Sequence, residues 1–261
     1  MKIFDTHTHY DDRAYDADRY ELIEQLLSDN VAGFVAIGCT LERSQKAVAL
    51  AEKYPNEKIF AAVGIHPQDV ESLPDDYLQA LENLSQSPKV VALGEIGLEY
   101  FREYNKVIQQ KIFREQLALA ARLNLPVIIH SREAFADAYE ILREYMQADS
   151  SRKAVCHCFS EDGEAAKLLC DLGVHISFTG AIAFEKKTER AIEACKAVPL
   201  ELLLLETDCP YLAPPPFRGK RCDSGMMKYT AQKIAEVKNC TVDEIVRVCN
   251  ENAMRFFGVE I

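Results

Sequence analysis

Short apolar runs, each bounded by turn residues and followed by a helix-length segment, recur eight times along this chain. That rhythm narrows the possible folds more than any other feature. The runs are Lys2–Asp5, Gly33–Ile37, Ile59–Val63, Val90–Leu93, Pro126–Ile129, Ala154–Cys156, Val174–Phe178 and Leu202–Leu205. Amphipathic helical patterns fall between them at Asp18–Leu27, Leu41–Tyr54, Tyr77–Leu84, Lys106–Leu123, Ala134–Met146, Glu164–Leu172 and Thr188–Val198. Strands so short and continuously apolar are buried on both faces, the condition of a parallel sheet clad in helices. Eight strand–helix units in about 210 residues predict a closed (β/α)8 TIM barrel of the α/β class. An open doubly wound sheet is the rival, but no Gly-x-Gly-x-x-Gly follows any run. Beyond Leu205 a loop from Pro210 to Arg221 holds four prolines, and helix resumes from Met226. The last helix opens at Thr241, with Glu244 completing a capping box, and stops at Gly258. No linker or low-complexity tract divides residues 1–261, so one domain is expected.

Composition sets limits on partners. No apolar run approaches the ~20 residues of a membrane helix, and Met1–Tyr10 has no apolar core of the signal-peptide kind. Nine cysteines, odd in number and scattered, do not form a disulfide framework. A monomer in a reducing, cytoplasmic compartment is the expectation. Thirty basic against 41 acidic residues give a net charge of −11, so nucleic acid cannot be held by a general positive field. Any grip on phosphate must be local. That suits an enzyme with transient contacts better than a coat protein.

Barrel enzymes work at the C-terminal ends of their strands, and polar residues collect at those ends here. His7 and His9 follow the first run, with Asp5 just before them. His66 follows the third, Glu95 the fourth, His130 the fifth, His157 the sixth and Asp208 the eighth. Two residues apart on a strand, His7 and His9 share a face and can chelate one divalent ion. Glu95, within Gly94-Glu95-Ile96-Gly97, can bridge two cations about 4 Å apart, the pair that clamps an in-line displacement at phosphorus. Small neighbours there leave room for something to approach the backbone. His130 and His157 complete the second ion, while Asp208 binds the first and takes a proton from the attacking water.

Other polar residues carry weaker readings. Cys156 and Cys158 flank His157, and on a strand both face the helix layer, where packing explains them. His175, at the start of the seventh run, lies at the wrong end of the barrel and is read as structural. His66 is surplus to a four-histidine site, and suits a substrate phosphate contact or a supporting hydrogen bond. Arg132 and the cluster Arg218-Gly219-Lys220-Arg221 are candidate phosphate holders; Arg218 and Lys220 are the chosen pair from the cluster.

At these residues the chain resembles the TatD family of metal-dependent deoxyribonucleases. The likeness runs in order through Phe4-Asp5-Thr6-His7-Thr8-His9, Gly64-Ile65-His66-Pro67, Gly94-Glu95-Ile96-Gly97-Leu98 and Pro126-Val127-Ile128-Ile129-His130-Ser131-Arg132. It continues through His157-Cys158-Phe159-Ser160 and Leu205-Glu206-Thr207-Asp208-Cys209-Pro210-Tyr211-Leu212. Phe113 and Gln116 fall where the family carries Phe-x-x-Gln. The resemblance implies a barrel with two divalent ions (Mg2+, Mn2+ or Zn2+) on His7, His9, Glu95, His130, His157 and Asp208. It also implies 3′-to-5′ exonuclease action on single-stranded DNA. Three positions depart from the pattern: Glu99 and Glu133 each replace an expected Asp, and Cys222-Asp223-Ser224 replaces Asn-Glu-Pro. The last change bears on substrate contacts in that loop.

Rival activities share the same two-metal site. An amidohydrolase or lactonase of this architecture often bridges its metals with a carboxylated lysine late in strand four, yet only Lys89, before that strand, is near. Removal of an amino acid from mischarged tRNA would need a similar cleft. A scaffold without catalysis would have little use for a full ligand set.

Overall fold

Eight strands alternate with helices in the computed structural model, which describes every residue except Lys187. The strands are β1 (Ile3–Thr8), β2 (Val31–Ile37), β3 (Ile59–Val63), β4 (Val90–Glu99), β5 (Val127–Arg132), β6 (Ala154–Cys156), β7 (His175–Phe178) and β8 (Leu203–Leu205). Among the described residues the helices between them are α1 (Arg19–Asp29), α2 (Leu41–Lys53), α3 (Tyr77–Leu84), α4 (Lys106–Leu123), α5 (Phe135–Ala148), α6 (Gly163–Asp171) and α7 (Glu189–Ala197). Two more, α8 (Met227–Lys238) and α9 (Val242–Phe257), complete the chain. The expected boundaries hold to within a few residues, except that β4 runs on to Glu99 instead of ending at Leu93.

Every neighbouring pair is parallel, in the order β1 to β8. The ring closes at one rim, where Thr8 bridges Cys209. There the Asp208 N–H donates to His7 O at 3.0 Å and the His9 N–H to Cys209 O at 2.9 Å. Since a strand alternates its faces, alternate residues separate into two apolar layers. Phe4, Val35, Ile37, Ala62, Ala92, Ile128, Val155 and Leu204 fill the barrel, with Phe256 of α9 packed against them. Phe34, Ala36, Ala61, Leu93, Ile129 and Cys156 join the larger layer beneath the helices. The last helix is capped as its sequence predicts. Thr241 Oγ1 accepts from the Glu244 N–H at 3.1 Å, and Gly258 adopts the left-handed φ of 69°.

One irregularity positions Glu95. The ladder between β4 and β5 shifts register between Leu93 and Ile96. By strict alternation Glu95 would face the helices with Leu93. The extra residue reverses it, so its carboxylate enters the barrel mouth, as bulges beside active sites commonly do. The surrounding glycines serve this packing and not the approach of a ligand. A Cβ on Gly94 would stand 2.6 Å from Ile128 Cβ, and one on Gly97 (φ 142°) only 2.0 Å from His130 O.

Candidate metal centre

Strands β1, β5, β6 and β8 deliver His7, His9, His130, His157 and Asp208 around the buried Glu95. Glu95 divides its two oxygens between two groups. Its Oε1 lies 2.8 Å from His130 Nδ1 and 2.7 Å from His157 Nε2. Its Oε2 lies 3.4 Å from His7 Nε2 and 3.9 Å from His9 Nε2. Asp208 Oδ1 faces the second group, 3.2 Å from His9 Nε2 and 3.7 Å from His7 Nε2. Within each group ring nitrogens face each other closely, 3.2 Å for His7 and His9 and 3.3 Å for His130 and His157. Imidazole nitrogens aimed together at a shared carboxylate form the donor set of a divalent transition or zinc-like ion. The residues present therefore fit a metal.

Electrostatics agree with the geometry. Burial works to raise the Glu95 carboxyl, but His157, His66 and His130 outweigh it and hold the group well below the usual carboxylate range. Asp208 is likewise opposed by burial and held low by its bond with His9. Its side chain keeps 16% exposure, against 4% for Glu95, so of these two carboxylates it is the one that reaches the mouth of the cleft.

His66 lies beside the two groups, its Nε2 3.5 Å from Glu95 Oε1. The Gln68 N–H donates to His66 Nδ1 at 3.2 Å, which places the ring proton on Nε2. Burial lowers its pKa to about 3, so the ring is a neutral hydrogen-bond donor facing the site, not a cation. Gln116 steadies the loop behind it: its Oε1 accepts from the Ile65 N–H at 2.8 Å and its Nε2 donates to Ile65 O at 3.1 Å.

Three further residues join the site, though the sequence reading gave them no role in it. Glu99 Oε2 stands 3.2 Å from His130 Nε2, on the ring edge opposite Glu95. Glu206 Oε1 is 3.5 Å from His157 Nδ1 and accepts from the Cys158 N–H at 2.6 Å. Cys39 Sγ, just past β2, is 3.6 Å from Glu95 Oε2. The strand-end rule would have found Cys39, because β2 alone among the early strands was left without a rim residue. Asp5, in contrast, is a buried tie. It accepts from Thr207 N–H at 3.0 Å, Thr207 Oγ1 at 2.7 Å and Ser224 Oγ at 2.7 Å. Burial pushes its carboxyl up to about 7 against the pull of these donors. The Cys222-Asp223-Ser224 departure thus serves to anchor β1.

The outer residues separate. Arg132 stacks on Phe101 with its guanidinium carbon 3.9 Å from the ring centre, and Arg218 does the same on Phe184 at 3.8 Å. Lys220 is exposed. Arg221 is occupied elsewhere, forming a fork with Asp18 at 2.7 and 2.6 Å. Gly219 (φ 80°) has open space where a Cβ would be, so it serves the turn and not a close ligand approach. Cys156 packs in the core as expected, but Cys158 does not face the helices. β6 has ended, Cys158 takes a left-handed φ of 45°, and its Sγ sits 3.7 Å from Thr179 Oγ1. His175 lies at the opposite end of the barrel, edge-on to Phe256 with centroids 5.0 Å apart.

Comparison with known proteins identifies the family of the chain as a whole. A family model described as TatD related DNase matches residues 4–258. An uncharacterized metal-dependent hydrolase, YabD of Bacillus subtilis, is 39% identical over 98% of this chain and 99% of its own. A protein of Erwinia amylovora named 3′-5′ ssDNA/RNA exonuclease TatD is 32% identical over 98% of this chain and 100% of its own. The crystal structure of YJJV, a TatD homolog from Escherichia coli, superposes with a TM-score of 0.91 at 29% identity, covering 99% of this chain and 98% of that one.

Proposed function

This chain belongs to the TatD family of metal-dependent hydrolases, and from that premise we propose that it is a two-metal phosphodiesterase shortening single-stranded DNA from its 3′ end. The carrying observation is the division of Glu95 between two groups of imidazole nitrogens. In this reading His7, His9 and Asp208 hold one divalent ion, His130 and His157 hold the other, and Glu95 lies between. Bound ions supply Lewis-acid polarisation of a phosphoryl oxygen and a nucleophile from water at neutral pH. Asp208, at the mouth of the cleft, accepts the proton of the attacking water on a carboxylate oxygen. The Nε2–H of His66 donates to a phosphoryl oxygen and orients it. Arg132, Arg218 and Lys220 grip the strand locally, which lets a chain of net charge −11 use a polyanion as substrate. All these groups come from one chain, so a monomer suffices.

The lysine-bridged amidohydrolase alternative loses its candidate lysine, because Lys89 Nζ is bound to Tyr54 O and Glu57 O, each at 3.0 Å. The test is incubation of metal-stripped protein with labelled single-stranded DNA or RNA, adding back magnesium, manganese or zinc, beside Glu95→Gln. A metal-dependent ladder that shortens from the 3′ end and vanishes in Glu95→Gln is expected. Oligonucleotides left intact by a metal-loaded protein would sink the reading, with aminoacyl esters and lactones the next substrates to assay.

A further inference from the structure

We propose that a cavity of about 700 Å³ beside the metal centre is a nucleobase subsite, holding the base next to the phosphodiester being cleaved. The proposal rests on the phosphodiesterase reading for the identity of its ligand. Its wall begins at Cys158, the residue after His157, and takes in Phe159, Phe178, Thr179, Phe184 and Arg218. The cavity thus shares a stretch of backbone with a candidate metal ligand. Glu206 ties that stretch down through the Cys158 N–H at 2.6 Å, and Thr179 meets it from the other side at 3.7 Å. Its size is that of small-ligand clefts, which are mainly apolar with a few polar groups.

The lining joins an apolar floor to a polar edge that includes Ser160, Glu185, Lys186 and Arg218. Phe159 and Phe178, themselves buried, meet edge to face with centroids 6.5 Å apart and planes at 87°, and form the apolar floor of the cavity. A phosphate would find no donor on those rings. A nucleobase has the opposite requirements: two π faces to be covered and a polar edge to be satisfied. At the mouth, the Arg218 guanidinium lies 3.8 Å from the centre of the Phe184 ring. That pair makes a flat platform of the kind on which bases stack, and such stacking tolerates any base. The Thr179 hydroxyl is committed within the wall, accepting from the Ala181 N–H at 3.3 Å, so a base edge would meet the exposed Arg218 guanidinium. Sequence-independent trimming of a single strand calls for this combination, with metal ions on the phosphate and an aromatic slot for whichever base adjoins it.

The experiment uses 2-aminopurine deoxynucleoside monophosphate, whose fluorescence falls on stacking, titrated with metal-free and with metal-loaded protein. The chain has no tryptophan to interfere. Saturable quenching is expected, weakened about tenfold in Phe184→Ala through loss of the stack. Ala191→Leu, which fills the cavity from α7, should weaken it comparably. Zinc isotherms and thermal melts of both variants should match the parent. In parallel, the parent protein is given oligonucleotides with a normal or an abasic 3′ end, and the abasic end should raise KM. Absence of saturable quenching, or equal quenching in parent and both variants, overturns the subsite, even where oligonucleotides are shortened normally. Quenching that responds to the variants in a protein that cleaves no oligonucleotide keeps the base pocket and removes the phosphodiesterase reading.

Discussion

If the site holds the two proposed ions, replacing Glu99 with glutamine should loosen one of them and leave the other untouched. Glu99 is almost wholly buried and both its oxygens accept. Oε1 takes the Phe101 N–H at 2.9 Å, while Oε2 faces His130 Nε2 at 3.2 Å and the Gln68 amide at 3.4 Å. With a carboxylate in place, the His130 proton is kept on Nε2 and the Nδ1 lone pair is left for the ion side, where Glu95 Oε1 lies 2.8 Å away. Glutamine has one acceptor oxygen. If that oxygen keeps Phe101, the new NH2 confronts His130 Nε2–H and drives the ring proton to Nδ1, the atom that must bind metal. If it keeps His130, the NH2 confronts the Phe101 N–H, a buried donor left unpaired at about 1–3 kcal/mol. Either way the ring loses the negative charge that raises its basicity, and the proposed His130–His157 ion should weaken by about 10- to 100-fold, the range seen for carboxylates that orient histidine ligands, or about 1.4 to 2.8 kcal/mol. A chelator-competition titration resolves the two binding steps. Glu99→Gln should lower one step alone, whereas Glu99→Asp keeps the charge and loses less. An isotherm identical to the parent, or equal weakening of both steps, would refute the reasoning.

Gly97→Ala should destabilise the barrel by more than the 1–3 kcal/mol of backbone strain alone, because its Cβ would stand 2.0 Å from His130 O at a φ of 142°; a fall in thermal midpoint measures this. An unchanged midpoint would count against the register of β4 on β5. His175 should make the protein acid-sensitive: burial, with Arg255 and Lys153 nearby, lowers its pKa to about 4 from 6.5. The unfolded chain takes up that proton below pH 6.5 and the folded one does not until about pH 4, so stability falls as pH drops through this window. His175→Gln should flatten the urea-derived stability profile there by about 3 kcal/mol.

Much of the architecture was legible in the residues themselves. Alternating short apolar runs and amphipathic segments report which surfaces must be buried, and a helix-clad parallel barrel buries eight such runs in this length. Period-two alternation carries His130 from Ile128, and His157 from Val155, onto the inward face. The caps at Thr241 and Gly258 are local hydrogen-bond chemistry and needed no tertiary information. Contacts between distant segments decided the rest. Glu95 turns inward only because β4 slips register against β5, and alternation within β4 alone would have put it among the helices. The glycines around it are dictated by strand backbones that their own sequence does not mention. Arg221 and Arg218 look equivalent in the chain. Asp18, 203 residues from Arg221, claims the first, while Phe184 turns the second toward the cavity. Residue types and local periodicity determine which side chains can act. Which partner each one meets is settled by the closure of the barrel, since long-range contacts leave no mark on the spacing of neighbours.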